Sequence, residues 1–108
     1  MKQRPQPVPE RDTNASLRAL ARAFAGLERP QDVMAFLEDL CTPAELEAMA
    51  DRWRVVPLLL QDVPYREIHE RTGVSVTTVG RVARTLERGA GGYSVAAHQQ
   101  FPRLIASH

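Results

Sequence analysis

Residues Pro64 to Leu86 read PYREIHERTGVSVTTVGRVARTL, two short amphipathic stretches joined at a glycine. Ile68, Val74, Val79, Val82 and Leu86 are apolar where two short helices must pack on each other. Gly73 stands at the junction, where a residue free to adopt positive φ lets one helix stop and the next begin at a steep angle. Ser75 then offers a hydroxyl N-cap for a backbone N–H that would otherwise be orphaned. The punctuation predicts a helix-turn-helix over residues 64–88.

The outer face of its second helix carries the functional signal. With Val76, Val79, Val82, Ala83 and Leu86 turned inward to varying degrees, Thr77, Thr78, Gly80, Arg81, Arg84, Thr85 and Arg88 remain for the surface. Threonine can hydrogen-bond a base edge or present its methyl to thymine, arginine can fork onto guanine or grip phosphate, and a glycine lets a backbone come close. Residues 64–88 hold five Arg against three Glu, a local net of +2. Arginines on a helix surface are ordinarily just solvated; their coincidence with a correctly capped helix-turn-helix is what points to DNA. The alternative reading is a helix-turn-helix that serves as a protein-interaction or regulatory module without reading sequence. An enzyme is not expected, because there is no HExxH, GxSxG or P-loop and no Cys with an evident His partner.

Outward from this motif, a 108-residue chain has room for one small core, which burial against a second copy would help. No apolar run reaches the roughly 18 residues of a membrane span and no signal segment opens the chain, so a cytoplasmic protein with no membrane partner is expected. The single Cys41 cannot form an internal disulfide, and His69, His98 and His108 are scattered, which argues against a metal site. The net charge of +1 conceals an asymmetry. Between Glu28 and Asp51 seven acidic residues face one Arg, net −6, whereas Lys2, Arg4 and Arg11 outnumber Glu10 at the start. One region repels a phosphate backbone and another attracts it.

Pro5, Pro7 and Pro9 make residues 1–12 an expected flexible basic arm, leaving 13–108 as a helical DNA-binding domain. A first helix begins near Asn14 with Leu17, Leu20, Ala21, Phe24 and Leu27 on one stripe; Pro30 opens a second with Val33, Phe36, Leu37 and Leu40. Thr42, Pro43 and Glu45 supply the N-cap, N1 proline and reciprocal glutamate of a third, whose stripe is Leu46, Met49, Ala50, Trp53, Val56 and Leu60. Pro57 falls inside that stripe and predicts either a kink or two helices, the kink being favoured because the stripe continues in phase. Gly89 to Gly92 breaks the chain, Tyr93 to Gln100 reads as a short last helix, and Pro102 ends it. Nothing reads as a strand, so the fold class is all-α.

The third helix and the helix-turn-helix together resemble the bacterial tryptophan repressor family, in particular its Trp-repressor-like branch. Leu40, Thr42, Pro43, Glu45, Glu47 and Ala48 carry the likeness, with Arg52, Arg54, Val56 and Leu59, then Arg66, Glu67, Gly73, Thr78, Arg81 and Leu86. The resemblance covers roughly residues 30–90 and implies a six-helix fold in an intertwined homodimer, acting as a sequence-specific transcriptional repressor. Two-fold symmetry then implies a palindromic operator of double-stranded DNA with half-sites about one helical turn apart. It places Ser75, Val76, Thr77 and Gly80 at base edges and Arg66 on phosphate, with His69 where the family tends to have a lysine; helix geometry adds Arg84 and Arg88. The family's corepressor, L-tryptophan, has its indole layered between arginines matching Arg52 and Arg81, with Thr78 close by, and its amino group meets the other subunit at the positions of Asp39, Cys41 and Thr42. This chain carries Val82 where tryptophan-binding members have glycine, and an isopropyl group there is expected to occupy space the indole needs. No cofactor is expected to be required, and an amino-acid corepressor such as L-tryptophan stays open as the alternative that Val82 disfavours.

Overall fold

The computed structural model describes residues 12–106, which form α-helices and no strand: Thr13–Ala25 (α1), Pro30–Leu40 (α2), Pro43–Leu60 (α3), Tyr65–Thr72 (α4), Val76–Arg88 (α5), Gly92–Gln100 (α6) and Pro102–Ala106 (α7). The basic arm expected over residues 1–12 lies outside the described residues except for Asp12, which caps α1 by accepting from the Ala15 N–H at 3.0 Å. The chain divides into two compact units, Met1–Leu40 and Cys41–His108, and the helix-turn-helix lies wholly in the second.

In the first unit the Phe24 and Phe36 rings meet edge to face, 5.1 Å between centroids and 77° between planes, and join α1 to α2. Arg29 braces the start of α2 by pairing with Asp32 at 3.1 Å. No residue of α1 or α2 is buried, and Leu17 and Met34 are each 60% exposed. Leu20, Phe24, Leu27, Val33, Phe36 and Leu37 are half-buried, while Leu17, Met34 and Leu40 remain exposed.

The second unit starts with the capping box at α3. The Thr42 hydroxyl accepts from the Glu45 N–H at 3.1 Å, and the Glu45 carboxylate accepts from the Thr42 N–H at 2.8 Å. Pro57 lies within one uninterrupted α3, so the two-helix alternative does not hold. The proline has no N–H for the preceding turn, but its carbonyl accepts from both the backbone N–H and the Nε2 of Gln61, each at 3.1 Å. Asp62 ends the helix at φ 62°, with the Val63 N–H on the Leu58 carbonyl and the Asp62 N–H on the Leu59 carbonyl; this is the Schellman closure, made here by an aspartate.

Val55 and Val56 of α3 pack with Ile68, Val74, Val79, Val82 and Ala97 in the buried core. The expected stripe on α3 contained Val56 but not Val55, and Ala50 is exposed. The reason is that α3 is approached by α4 and α5 and also by α6 and α7, so it buries more than one stripe. Trp53 stacks on Phe101 at 5.9 Å and lies 6.4 Å from the Tyr93 ring, fastening α6 and the α6–α7 joint. Pro102 opens α7 instead of only ending α6, adding a seventh helix to the six expected.

Candidate nucleic-acid interface

The turn between α4 and α5 is held by a closed set of local bonds. Gly73 adopts φ 80° and its N–H reaches the His69 carbonyl at 2.8 Å. The Thr72 hydroxyl donates to the Ile68 carbonyl at 2.7 Å and accepts from the Val74 N–H at 3.0 Å. The Val74 carbonyl accepts at 2.8 Å from His69 Nδ1, which must carry the ring proton because a carbonyl cannot donate. One long-range bond ties this turn to α3: Arg54 Nη2 donates to the Thr72 carbonyl at 2.7 Å while its Nη1 pairs with Asp51 at 3.1 Å. Val56, Ile68, Val74, Val79 and Val82 lie buried beneath.

On this frame α5, the most strongly amphipathic of the helices, presents its polar side. Val76 is 47% exposed, and Thr77 is exposed with no bond to the described residues. Ser75 caps the helix, accepting from the Thr78 N–H and donating to Thr78 Oγ1, both at 3.1 Å, so its hydroxyl is already committed. Arg66, Arg81, Arg84 and Arg88 are exposed, and none of their guanidiniums makes an ion pair or hydrogen bond among the described residues. Arg71, on the same head, is occupied by Glu67 at 3.3 Å. Arg81, Arg84, Thr85, Arg88 and Gly89 line a shallow cationic cleft of about 220 Å³.

Two expected contact residues sit otherwise. Gly80 is buried instead of open to a DNA backbone, because a Cβ there would meet Arg84 Nη1 at 3.5 Å and Tyr65 Cε2 at 3.6 Å. His69, which stands where the family tends to have a lysine, is exposed and gives its Nδ1 to the turn. Tyr65, which covers Gly80 and is 43% exposed, was absent from the expected set. Only the fold brings it beside α5.

Of the residues expected around a corepressor, two lie together. Arg52 and Thr78 share a cleft of about 280 Å³ with Asp51, Gly73, Val74 and Ser75. Arg81 lines the other cleft, with Arg84 and Arg88. Thr42 is engaged in the capping box. Val82 is fully buried, in line with its place among the apolar residues expected to pack the two helices together. No group of three or more His, Cys, Asp or Glu among the described residues could hold a metal ion.

The Trp repressor protein family matches residues 15–101, most of the chain. The chain belongs to the Trp repressor family. Within it, the uncharacterised protein YerC of Bacillus subtilis (strain 168) is 32% identical over 77 residues, covering 71% of this chain and 74% of that protein. A crystal structure of a candidate Trp repressor from Staphylococcus aureus has 30% identity and a TM-score of 0.74, covering 80% of this chain and 86% of that one. The all-α architecture and the helix-turn-helix are thus those of a Trp repressor family regulator, a family of regulatory proteins and not of enzymes. No helix among the described residues is long and apolar enough to cross a membrane.

Proposed function

We propose that this protein is a cytoplasmic, sequence-specific transcriptional repressor that binds a palindromic operator in double-stranded DNA as a homodimer. The observation that carries the reading is the set of exposed arginines at 66, 81, 84 and 88, which have no ion pair or hydrogen bond among the described residues, around an α5 that begins with solvent-exposed Val76 and Thr77. Arginines without protein partners are available to phosphates or guanine edges, while a half-exposed valine and a free threonine hydroxyl suit thymine methyls and base acceptors. The bonded turn supports the reading because a base-contacting helix must be presented at a defined angle. The exposed Leu17 and Met34 of α1 and α2 support a homodimer, and two-fold symmetry calls for half-sites about one turn of duplex, roughly 34 Å, apart.

Fluorescence anisotropy with a labelled duplex from upstream of the protein's own gene tests this. Binding should weaken steeply with salt, and Arg84→Ala should lower the affinity and reduce the log–log salt slope by about 0.9 for one lost phosphate contact. If the arginine contacts a base instead, the loss is about 1–3 kcal/mol and depends on duplex sequence. No binding at moderate salt would instead favour the protein-interaction module.

A further inference from the structure

We infer that the Tyr65 hydroxyl is a further contact of this chain with the duplex, a neutral hydrogen-bond donor to a backbone phosphate, and that Gly80 is the notch that seats its ring. The inference rests on the DNA-binding reading above. Tyr65 is the first residue of α4, three positions before the fully buried Ile68 and so on the same face of that helix. That face is turned to α5, where a Cβ at Gly80 would meet Tyr65 Cε2 at 3.6 Å. A methyl fits at that distance, but a longer side chain at residue 80 would have to displace the ring. One edge of the ring is thus packed on α5, yet Tyr65 is 43% exposed and its hydroxyl makes no hydrogen bond among the described residues.

The surroundings of the ring decide what the hydroxyl meets. Arg84 Nη1 would stand 3.5 Å from the same Cβ, and Arg66 follows Tyr65 in the chain; both are exposed cations with no ion pair or hydrogen bond among the described residues. A phenol beside two such cations lies where a phosphate is drawn by charge, and tyrosine hydroxyls are among the side-chain donors that phosphate oxygens accept from. Placement on the first helix of the motif selects phosphate over a base edge, since that helix crosses the backbone while the second enters the groove. Packing on Gly80 aims the ring before DNA arrives, so little side-chain freedom is lost on binding. Arg66 and Arg84 supply charge, and Tyr65 supplies an oriented donor without charge.

Tyr65→Phe removes the hydroxyl and keeps the ring over Gly80. The full chain is titrated in a salt series against the duplex named above and against a scrambled duplex of equal length. The variant should bind both about tenfold more weakly, by a similar factor, because a phosphate contact carries no sequence information. Its log–log salt slope should match wild type, since a neutral donor releases no counterion, in contrast to the loss of about 0.9 for an arginine on phosphate. The urea midpoint should not move. Gly80→Leu, which unseats the ring, should also weaken binding, and Tyr65→Phe should cost little more in that background. The inference is overturned if Tyr65→Phe binds within about twofold of wild type, if its loss is confined to the upstream duplex, the mark of a base contact, or if the urea midpoint falls with the affinity, the mark of a structural hydroxyl. An equal effect of Tyr65→Phe with and without Gly80→Leu overturns the role of Gly80. Absence of wild-type binding to either duplex removes the DNA-binding reading itself, and this inference with it.

Discussion

Gly73 and Gly80 are two glycines of one motif with opposite requirements. At Gly73 no atom lies within 4 Å of where a Cβ would stand, but φ is +80°, so a side chain there pays in backbone conformation alone. Gly73→Ala should lower the unfolding free energy by about 1–2 kcal/mol, and Gly73→Asn by less, read from urea midpoints at constant slope. At Gly80 the backbone is helical and the nearest atoms stand at ordinary contact distance, so Gly80→Ala should be neutral or stabilising by up to about 1 kcal/mol. Gly73 was legible because a helix stop followed at once by a capping serine is a local pattern. The burial of Gly80 was not, because its cover comes from Tyr65 on the other helix and from Arg84 folding back along its own.

Helix boundaries followed from local chemistry wherever the usual residues were present. The Thr42–Glu45 box marks the start of α3 as expected, and Thr42→Ala should cost about 1 kcal/mol of stability, seen as a lower thermal midpoint with the fold intact. The end of α3 was less legible, since the left-handed position is filled by Asp62 where glycine is commonest. Pro57 shows the limit of propensity. A proline that would break an isolated helix is carried inside α3, which is packed by α4, α5, α6 and α7. The same crowding buries Val55 beside Val56, adjacent positions that no single amphipathic stripe would pair.

For the assembled protein, the decisive feature is the absence of any buried residue in α1 and α2 despite their apolar stripes. Large side chains such as Leu17 and Met34 are each 60% exposed, and the proposed homodimer would cover them. Sedimentation should therefore give the mass of two 12.1 kDa chains, and Leu17→Glu combined with Met34→Glu should shift it toward one. A wild-type protein sedimenting as a single chain would remove the two-fold symmetry on which a palindromic operator depends. The double substitution should also weaken operator binding far more than non-specific binding, since only a dimer engages two half-sites together.

What the residues determined by themselves was local: seven acidic side chains gathered in 28–51, the caps at Thr42 and Ser75, the turn at Gly73, and a second helix edged with arginine. These rest on bonds between neighbours three to five positions apart, which depend on little beyond residue type and spacing. Packing alone decided that Val55 is buried beside Val56, that Tyr65 covers Gly80, and that Arg54 reaches Thr72. Those outcomes depend on the angles at which α3, α4 and α5 cross, and such angles arise only when side chains distant in sequence exclude water together.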